Sequence, residues 1–291
     1  MAAKNKLIYR DRDEAFFHHH FTPDTAVDDP DKWVRRAQQL GQEATAGLQH
    51  IREDVPYGDT PLQAVDVFPA ADPDAPIHLY FHGGYWRSYD KANYRYIPGM
   101  LVPEGVTTIL ANYDLCPQVT LDEIVQQVIG CVAFVYRSAR ELGGDPDRLF
   151  LSGSSAGGHL AAMAINHDFA ADGLPPDVIK GALSITGVHR LEPVLYIPAN
   201  EDIRLDAAMA SRNTTLDKVP VTKKPVLVAV GADEPNEWVR MSVDYDTMLR
   251  EEGIPGDLMI VAGTHHYSVT QTLADPDSRM SRALLAMMGL G

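Results

Sequence analysis

Cysteine is scarce in this 291-residue chain: two residues, Cys116 and Cys131, stand 15 apart with no C-x-x-C spacing. A disulfide framework is excluded on that count, and reduced thiols in a cytoplasmic protein are the expectation. Long apolar runs are missing as well. No stretch reaches 18 apolar residues, so no membrane span is expected. The first residues, Met1 to Lys6, lead into charged positions rather than an apolar segment, which argues against a signal peptide. Positive charge is also in deficit, with 25 Lys and Arg against 40 Asp and Glu and a net charge of −15. Nucleic acid and anionic membrane are poor partners for such a chain. Internal repeats and low-complexity segments are absent. What remains is 45% hydrophobic, enough to build the core of one large α/β domain.

The chain reads as a single domain over 1–291, with an N-terminal arm and helix at 1–47. Residues 1–30 are charged and punctuated by proline, with the cluster Phe16-Phe17-His18-His19-His20-Phe21. Consecutive side chains diverge on a helix or strand and do not converge on one ion, so an aromatic-packed or solvated arm is expected, and no metal. Asp31 to about Ala46 reads as a helix. His50–Val55 and Leu62–Phe68 read as an antiparallel hairpin. Short apolar runs follow at Ile77–Phe81, Val106–Ala111, Leu149–Leu151, Ala182–Ile185, Val226–Val230 and Leu258–Val261, the pattern of strands buried on both faces. Between them, Leu121–Leu142 carries an i, i+3, i+4 apolar stripe, a Thr120/Glu123 capping box and a Gly143-Gly144 stop. Strand–helix alternation after an antiparallel start predicts a doubly wound, mostly parallel sheet. Residues 187–220 break the rhythm and are expected to form a cap or pocket wall.

One stretch organises the rest. Leu149-Phe150-Leu151 runs into Ser152-Gly153-Ser154-Ser155-Ala156-Gly157-Gly158, and a helix begins behind it. Gly153-x-Ser155-x-Gly157 between a strand and a helix is the spacing of a nucleophile elbow. A serine on so tight a turn needs small residues two before and two after it, and the helix behind it aims free N–H groups at a developing oxyanion. A nucleophilic serine needs a base, a carboxylate to orient that base, and oxyanion donors. Past the strand at 226–230 stands Asp233, with Glu234 and Glu237 as neighbouring rivals. Past the strand at 258–261 stand His265 and His266. Upstream, the strand at 77–81 runs into His82-Gly83-Gly84-Tyr85-Trp86, whose glycines let successive N–H groups turn toward an anion. The order serine, acid, histidine, each at a strand end, is that of α/β-hydrolases.

With these pieces in place the chain resembles the α/β-hydrolase superfamily, and within it the kynurenine formamidase (arylformamidase) family and its esterase relatives. The resemblance rests on His82-Gly83-Gly84-Tyr85-Trp86 (HGGxW), on Asn112-Tyr113-Asp114-Leu115-Cys116-Pro117, and on the elbow. It continues more weakly through Leu191–Pro193, Arg204–Asp206, Gly231–Glu234 and His266–Ser268. It implies Ser155, Asp233 and His266 as the catalytic triad, the aromatic residue after His266 selecting it over His265. It implies an oxyanion hole from Gly83, Gly84, Tyr85 and Ala156, with Tyr85 and Trp86 either against the substrate or packed in the core under the loop. The implied reaction is hydrolysis of N-formylkynurenine to kynurenine and formate, with no metal or other cofactor. Ser154 departs from the family, where histidine commonly precedes the nucleophile, and this leaves the substrate less fixed than the fold. A carboxylesterase of short-chain or aryl esters would use the same machinery; a non-catalytic binding module would be expected to lack a triad member. The partner is a small-molecule substrate, and a homodimer is expected from the fold class alone.

Overall fold

The computed structural model describes residues 11–291; the signal-peptide reading of Met1–Lys6 lies outside them. Eight strands form one sheet in the order β1-β2-β4-β3-β5-β6-β7-β8. These are β1 (Arg52–Pro56), β2 (Ala64–Phe68), β3 (Ile77–Phe81), β4 (Thr107–Ala111), β5 (Leu149–Ser154), β6 (Ile179–Ile185), β7 (Val226–Gly231) and β8 (Gly256–Val261). The first two pair as the expected antiparallel hairpin, β2 runs antiparallel to β4, and every later pairing is parallel. Strands β2 to β5 are buried along their whole length, which for β3, β4 and the first half of β5 is why they read as continuous apolar runs.

The described residues form ten α-helices around the sheet and its loops. They are α1 (Glu14–Phe21), α2 (Pro30–Thr45), α3 (Tyr96–Leu101), α4 (Leu121–Leu142), α5 (Ala156–Ile165), α6 (Asn200–Ile203), α7 (Ala207–Asn213), α8 (Asn236–Glu251), α9 (Ser268–Gln271) and α10 (Arg279–Met287). Helix α4 has the bounds its apolar stripe predicts. The Thr120 hydroxyl and Glu123 carboxylate cap each other's backbone, and Gly143 closes the helix at φ 87°. Helix α2 starts at Pro30 behind the Asp29 cap, one residue before the sequence places it.

Alternate side chains along the strands feed two cores. One face, with Leu79, Ile109 and Leu151, packs on α4, α5 and α8; the other, with Tyr80, Leu110 and Phe150, packs on α2, α3 and α10. Each fully buried aliphatic side chain contributes about 1.5–3 kcal/mol, so the sheet is held from both sides. The order of the strands reverses around β3, which lies between β4 and β5 although it precedes both in the chain. The carboxyl ends of β3 and β5 are therefore neighbours, Phe81 paired with Gly153. An α/β sheet binds its ligands at such a reversal.

The arm folds where the sequence shows little pattern. Asp13 caps α1 by accepting from the Phe16 N–H at 2.9 Å, and Phe17 and Phe21 are buried. Phe17 meets Tyr196 of the 187–220 excursion, ring centres 5.0 Å apart. His18, His19 and His20 succeed one another on this helix, and α1 owes its position to the two phenylalanines.

Candidate active site

The elbow is built as its spacing requires. Ser155 sits at φ 56°, ψ −117°, a conformation that strains a residue bearing a side chain, between the end of β5 and the start of α5. Its N–H donates to Ile185 O at 2.8 Å, and its carbonyl accepts from His159 N–H at 3.1 Å. A Cβ on Gly153 would lie 2.2 Å from Gly157 O, and one on Gly157 would lie 2.0 Å from Phe81 O. Both glycines are thus forced by backbone approaching backbone. Ser154 is buried, its hydroxyl accepting from the Tyr80 hydroxyl at 2.9 Å.

The His82–Trp86 loop approaches Ser155 from β3. A Cβ on Gly83 would stand 3.3 Å from the Ser155 Cβ. The Gly83 N–H donates to the Tyr94 hydroxyl at 3.3 Å, so this residue provides closeness while its donor points at a side chain. Gly84, Tyr85 and Trp86 follow at φ 109°, 49° and 57°, three successive positive values that coil the chain tightly. A Cβ on Gly84 would come within 2.1 Å of Ser88 O. Gly84 and Tyr85 line the same cavity as Ser155, and Ala156 opens α5 directly behind the nucleophile.

The second motif holds the first. The Tyr113 ring stacks on His82 at 4.3 Å and its hydroxyl donates to His82 O at 2.7 Å, while Cys116 N–H donates to Trp86 O at 2.8 Å. Burial holds the His82 imidazolium pKa down at about 4, so the ring is neutral at pH 7. Its Nδ1 lies 2.7 Å from Gly83 O. HGGxW and Asn112–Pro117 are two halves of one clamp.

Of the two adjacent histidines it is His266 that lines the cavity, and its carboxylate partner is Glu234, not the Asp233 expected from the sequence. The Nδ1 atom of His266 lies 2.7 Å from Glu234 Oε2; the other oxygen of Glu234 accepts Gly231 N–H at 2.9 Å. Glu234 is buried, whereas Asp233 is exposed. Asp233 donates its backbone N–H to Thr264 O at 2.9 Å, a bond that ties β7 to the histidine loop. Both residues lie in the turn past β7, and here the longer side chain is the one that turns inward. Glu237 is taken by Arg240. The Trp238 ring packs 4.5 Å from that of His266. His265 turns away onto Trp33 at 4.6 Å.

A cavity of about 200 Å³ is lined by both Ser155 and His266. Gly83, Gly84 and Tyr85 reach its wall, and Tyr85 donates its hydroxyl to Phe21 O at 2.6 Å. Trp86, a candidate for contact with the substrate, is instead fully buried and outside this lining, packed edge-on to His159 at 5.1 Å. A ring of that size beneath the loop serves as its floor. Ile197, Pro198 and Ala199 of the 187–220 excursion also line it. Further lining comes from parts no motif announces: Asp24 past α1, Trp33 and Val34 of α2, Tyr89, Tyr94 and Gln271. Gln271 Nε2 donates to Trp33 O at 2.9 Å, and the Tyr267 hydroxyl bonds Asp24. These contacts join residues more than 230 positions apart, and local pattern carries no trace of them.

Among the described residues no group of three or more His, Cys, Asp or Glu side chains is placed to hold a metal ion, and no helix is long and apolar enough to cross a membrane. Both cysteines are buried and unpaired.

Comparison with known proteins gives a consistent pattern. Residues 66–171 match the BD-FAE family. The kynurenine formamidase of Salmo salar is 32% identical over 272 residues, covering 91% of both chains. That of Danio rerio is 30% identical over 276 residues and 92% of both. Among solved structures, a putative thioesterase from Silicibacter sp. superposes with a TM-score of 0.79 at 25% identity, covering 90% of this chain and 96% of its own. The carboxylesterase EstE1 superposes at 0.69 with 18% identity and shares the fold.

Proposed function

The chain belongs to the kynurenine formamidase family of α/β-hydrolases and is a hydrolase, and from that membership we propose that it hydrolyses N-formylkynurenine to kynurenine and formate. One observation carries the chemistry: the strained Ser155 and the Glu234-bonded His266 open onto one cavity, beside a loop of backbone donors.

Ser155 Oγ attacks the formyl carbon while His266 Nε2 takes its proton. Glu234 accepts from Nδ1–H, holds that tautomer, and stabilises the imidazolium that forms. The oxyanion is held by the N–H groups of Ala156, Gly84 and Tyr85, and removing one such donor costs about 2.7–4 kcal/mol of transition-state stabilisation. The tetrahedral intermediate collapses, and His266 returns the proton to the departing arylamine. A water molecule, deprotonated by His266, then attacks the formyl ester and releases formate and free Ser155. Aromatic side chains around the cavity suit an aryl leaving group. Residues 187–220 act as the pocket wall. Two buried, unpaired cysteines support a cytoplasmic setting. A homodimer belongs to the same proposal, and light scattering on the purified protein tests it.

The deciding experiment compares kcat/KM for N-formylkynurenine, p-nitrophenyl acetate and p-nitrophenyl butyrate. Formamide turnover well above that of butyrate is expected. Negligible formamide turnover beside fast ester cleavage overturns the substrate and leaves a carboxylesterase.

A further inference from the structure

The chemistry at Ser155 concerns only the formyl group, yet the cavity extends to a mouth where charge is placed sparingly. Among the described residues lining it, Arg87 is the only Lys or Arg and Asp24 the only Asp or Glu. Both are exposed, while Ser155 is buried, so the two charges stand at the open end. They share a locality: each acts electrostatically on the hydroxyls of Tyr85 and Tyr89. They do not neutralise each other. Among the described residues Asp24 is in no ion pair, and Arg87 is held through Nη1 alone, 2.7 Å from Asp202 of α6. That tether fixes the guanidinium at the rim and leaves the rest of its donor fork for another acceptor. In a chain of net charge −15, a carboxylate ligand needs such a local cation to approach.

Resting on the substrate reading above, we propose that Arg87 and Asp24 form the receptor for the amino-acid end of the leaving group. The guanidinium takes the α-carboxylate and the Asp24 carboxylate takes the α-ammonium. The formamide then lies inward at Ser155, and the aryl ring spans the aromatic walls between. Arg87 and Asp24 are specificity-determining residues in this arrangement and take no part in bond making. An uncharged aryl ester would gain nothing from either charge.

The test compares N-formylkynurenine with 2′-formamidoacetophenone, which keeps the aryl ketone and formamide but lacks the amino-acid end. The reading is the ratio of the two kcat/KM values. Wild type should favour N-formylkynurenine by tenfold or more. R87Q and D24N should each reduce that preference by at least tenfold, chiefly through KM for N-formylkynurenine, and R87K should recover part of it. D202N keeps the guanidinium and an amide oxygen that still accepts from its Nη1, and should hold the preference within threefold of wild type. A purely structural role would lower both substrates together and leave the ratio unchanged, which overturns the proposal. So does a D202N ratio as low as that of R87Q. Equal turnover of both formamides by wild type defeats the receptor alone; turnover of neither defeats the substrate reading beneath it.

Discussion

The two sides of the cavity are made in opposite ways. On one side stand the elbow and the His82–Trp86 loop, where glycines are forced by backbone approaches of 2.0–2.2 Å and every strand end is paired in register. On the other stands a mouth assembled from the arm, α2, Gln271 and residues 197–199, joined by single hydrogen bonds such as Gln271 to Trp33. The first cannot change without distorting the sheet. The second can exchange side chains at modest cost to the fold. Chemistry is carried by the part that packing fixes, and choice of substrate by the part it leaves free.

The sharpest way to break this division is at the nucleophile. Ser155→Ala should lower kcat by about four to six orders of magnitude with the circular dichroism spectrum and Tm unchanged, and His266→Ala should match it. His265 lies one residue away but rests on Trp33, so His265→Ala should cost less than about tenfold. If the two histidine variants exchange places, the rigid side has been drawn one residue out of register. The acid comes next. Glu234→Gln should cost about two to four orders of magnitude in kcat, because the buried carboxylate orients the base. Asp233→Asn, with its side chain in solvent, should cost less than about threefold, since the backbone N–H that bonds Thr264 is kept.

That pair of variants also marks how far the sequence could be read. The strands, α4, the elbow and the histidine loop were legible because each rests on local rules: apolar period, capping, small residues at a strained turn. The oxyanion loop was legible in outline, but Trp86 was not, because an aromatic beside a cavity loop can face the cavity or the core. Asp233 and Glu234 are adjacent carboxylates at one strand end, and only the Thr264 contact decides which turns inward. The arm's share of the mouth was invisible, since Asp24 meets Tyr267 across 243 positions.

The rigid side should also announce itself in acid. His78, His82 and His159 are fully buried, and desolvation lowers their folded-state pKa values from 6.5 to about 3, 4 and 4. The unfolded chain therefore binds more protons than the folded one between pH 6.5 and these values. The stabilisation from keeping these rings neutral is complete above pH 6.5 and is lost as pH falls through the window. Each ring adds up to about 1.4 kcal/mol per pH unit to the slope. Urea unfolding at pH 7.5, 6, 5 and 4.5 should show that decline. His159→Gln can still donate to Asn213 O, which the ring meets at 2.8 Å, and it should flatten the slope by one ring's share. An unaltered slope would mean that His159 does not contribute to the acid lability.

The smallest effect belongs to the mouth. Tyr267 follows His266 directly, and its hydroxyl bonds Asp24, so one side chain ties the arm to the catalytic loop. Burial and the nearby Asp24 carboxylate raise its pKa well above the usual tyrosine value, so the hydroxyl stays protonated and remains a donor throughout the working range. Tyr267→Phe removes that donor and leaves the ring. A net hydrogen bond is worth about 0.5–1.5 kcal/mol, so KM for the formamide should rise about two- to tenfold as the arm loosens. The effect should fall on KM rather than kcat, because the Glu234 contact that orients His266 does not involve the Tyr267 hydroxyl. A fall in kcat beyond tenfold at constant KM would instead make the arm part of the rigid side, positioning the base from a distance, and the division between the two walls would have to be redrawn at Tyr267.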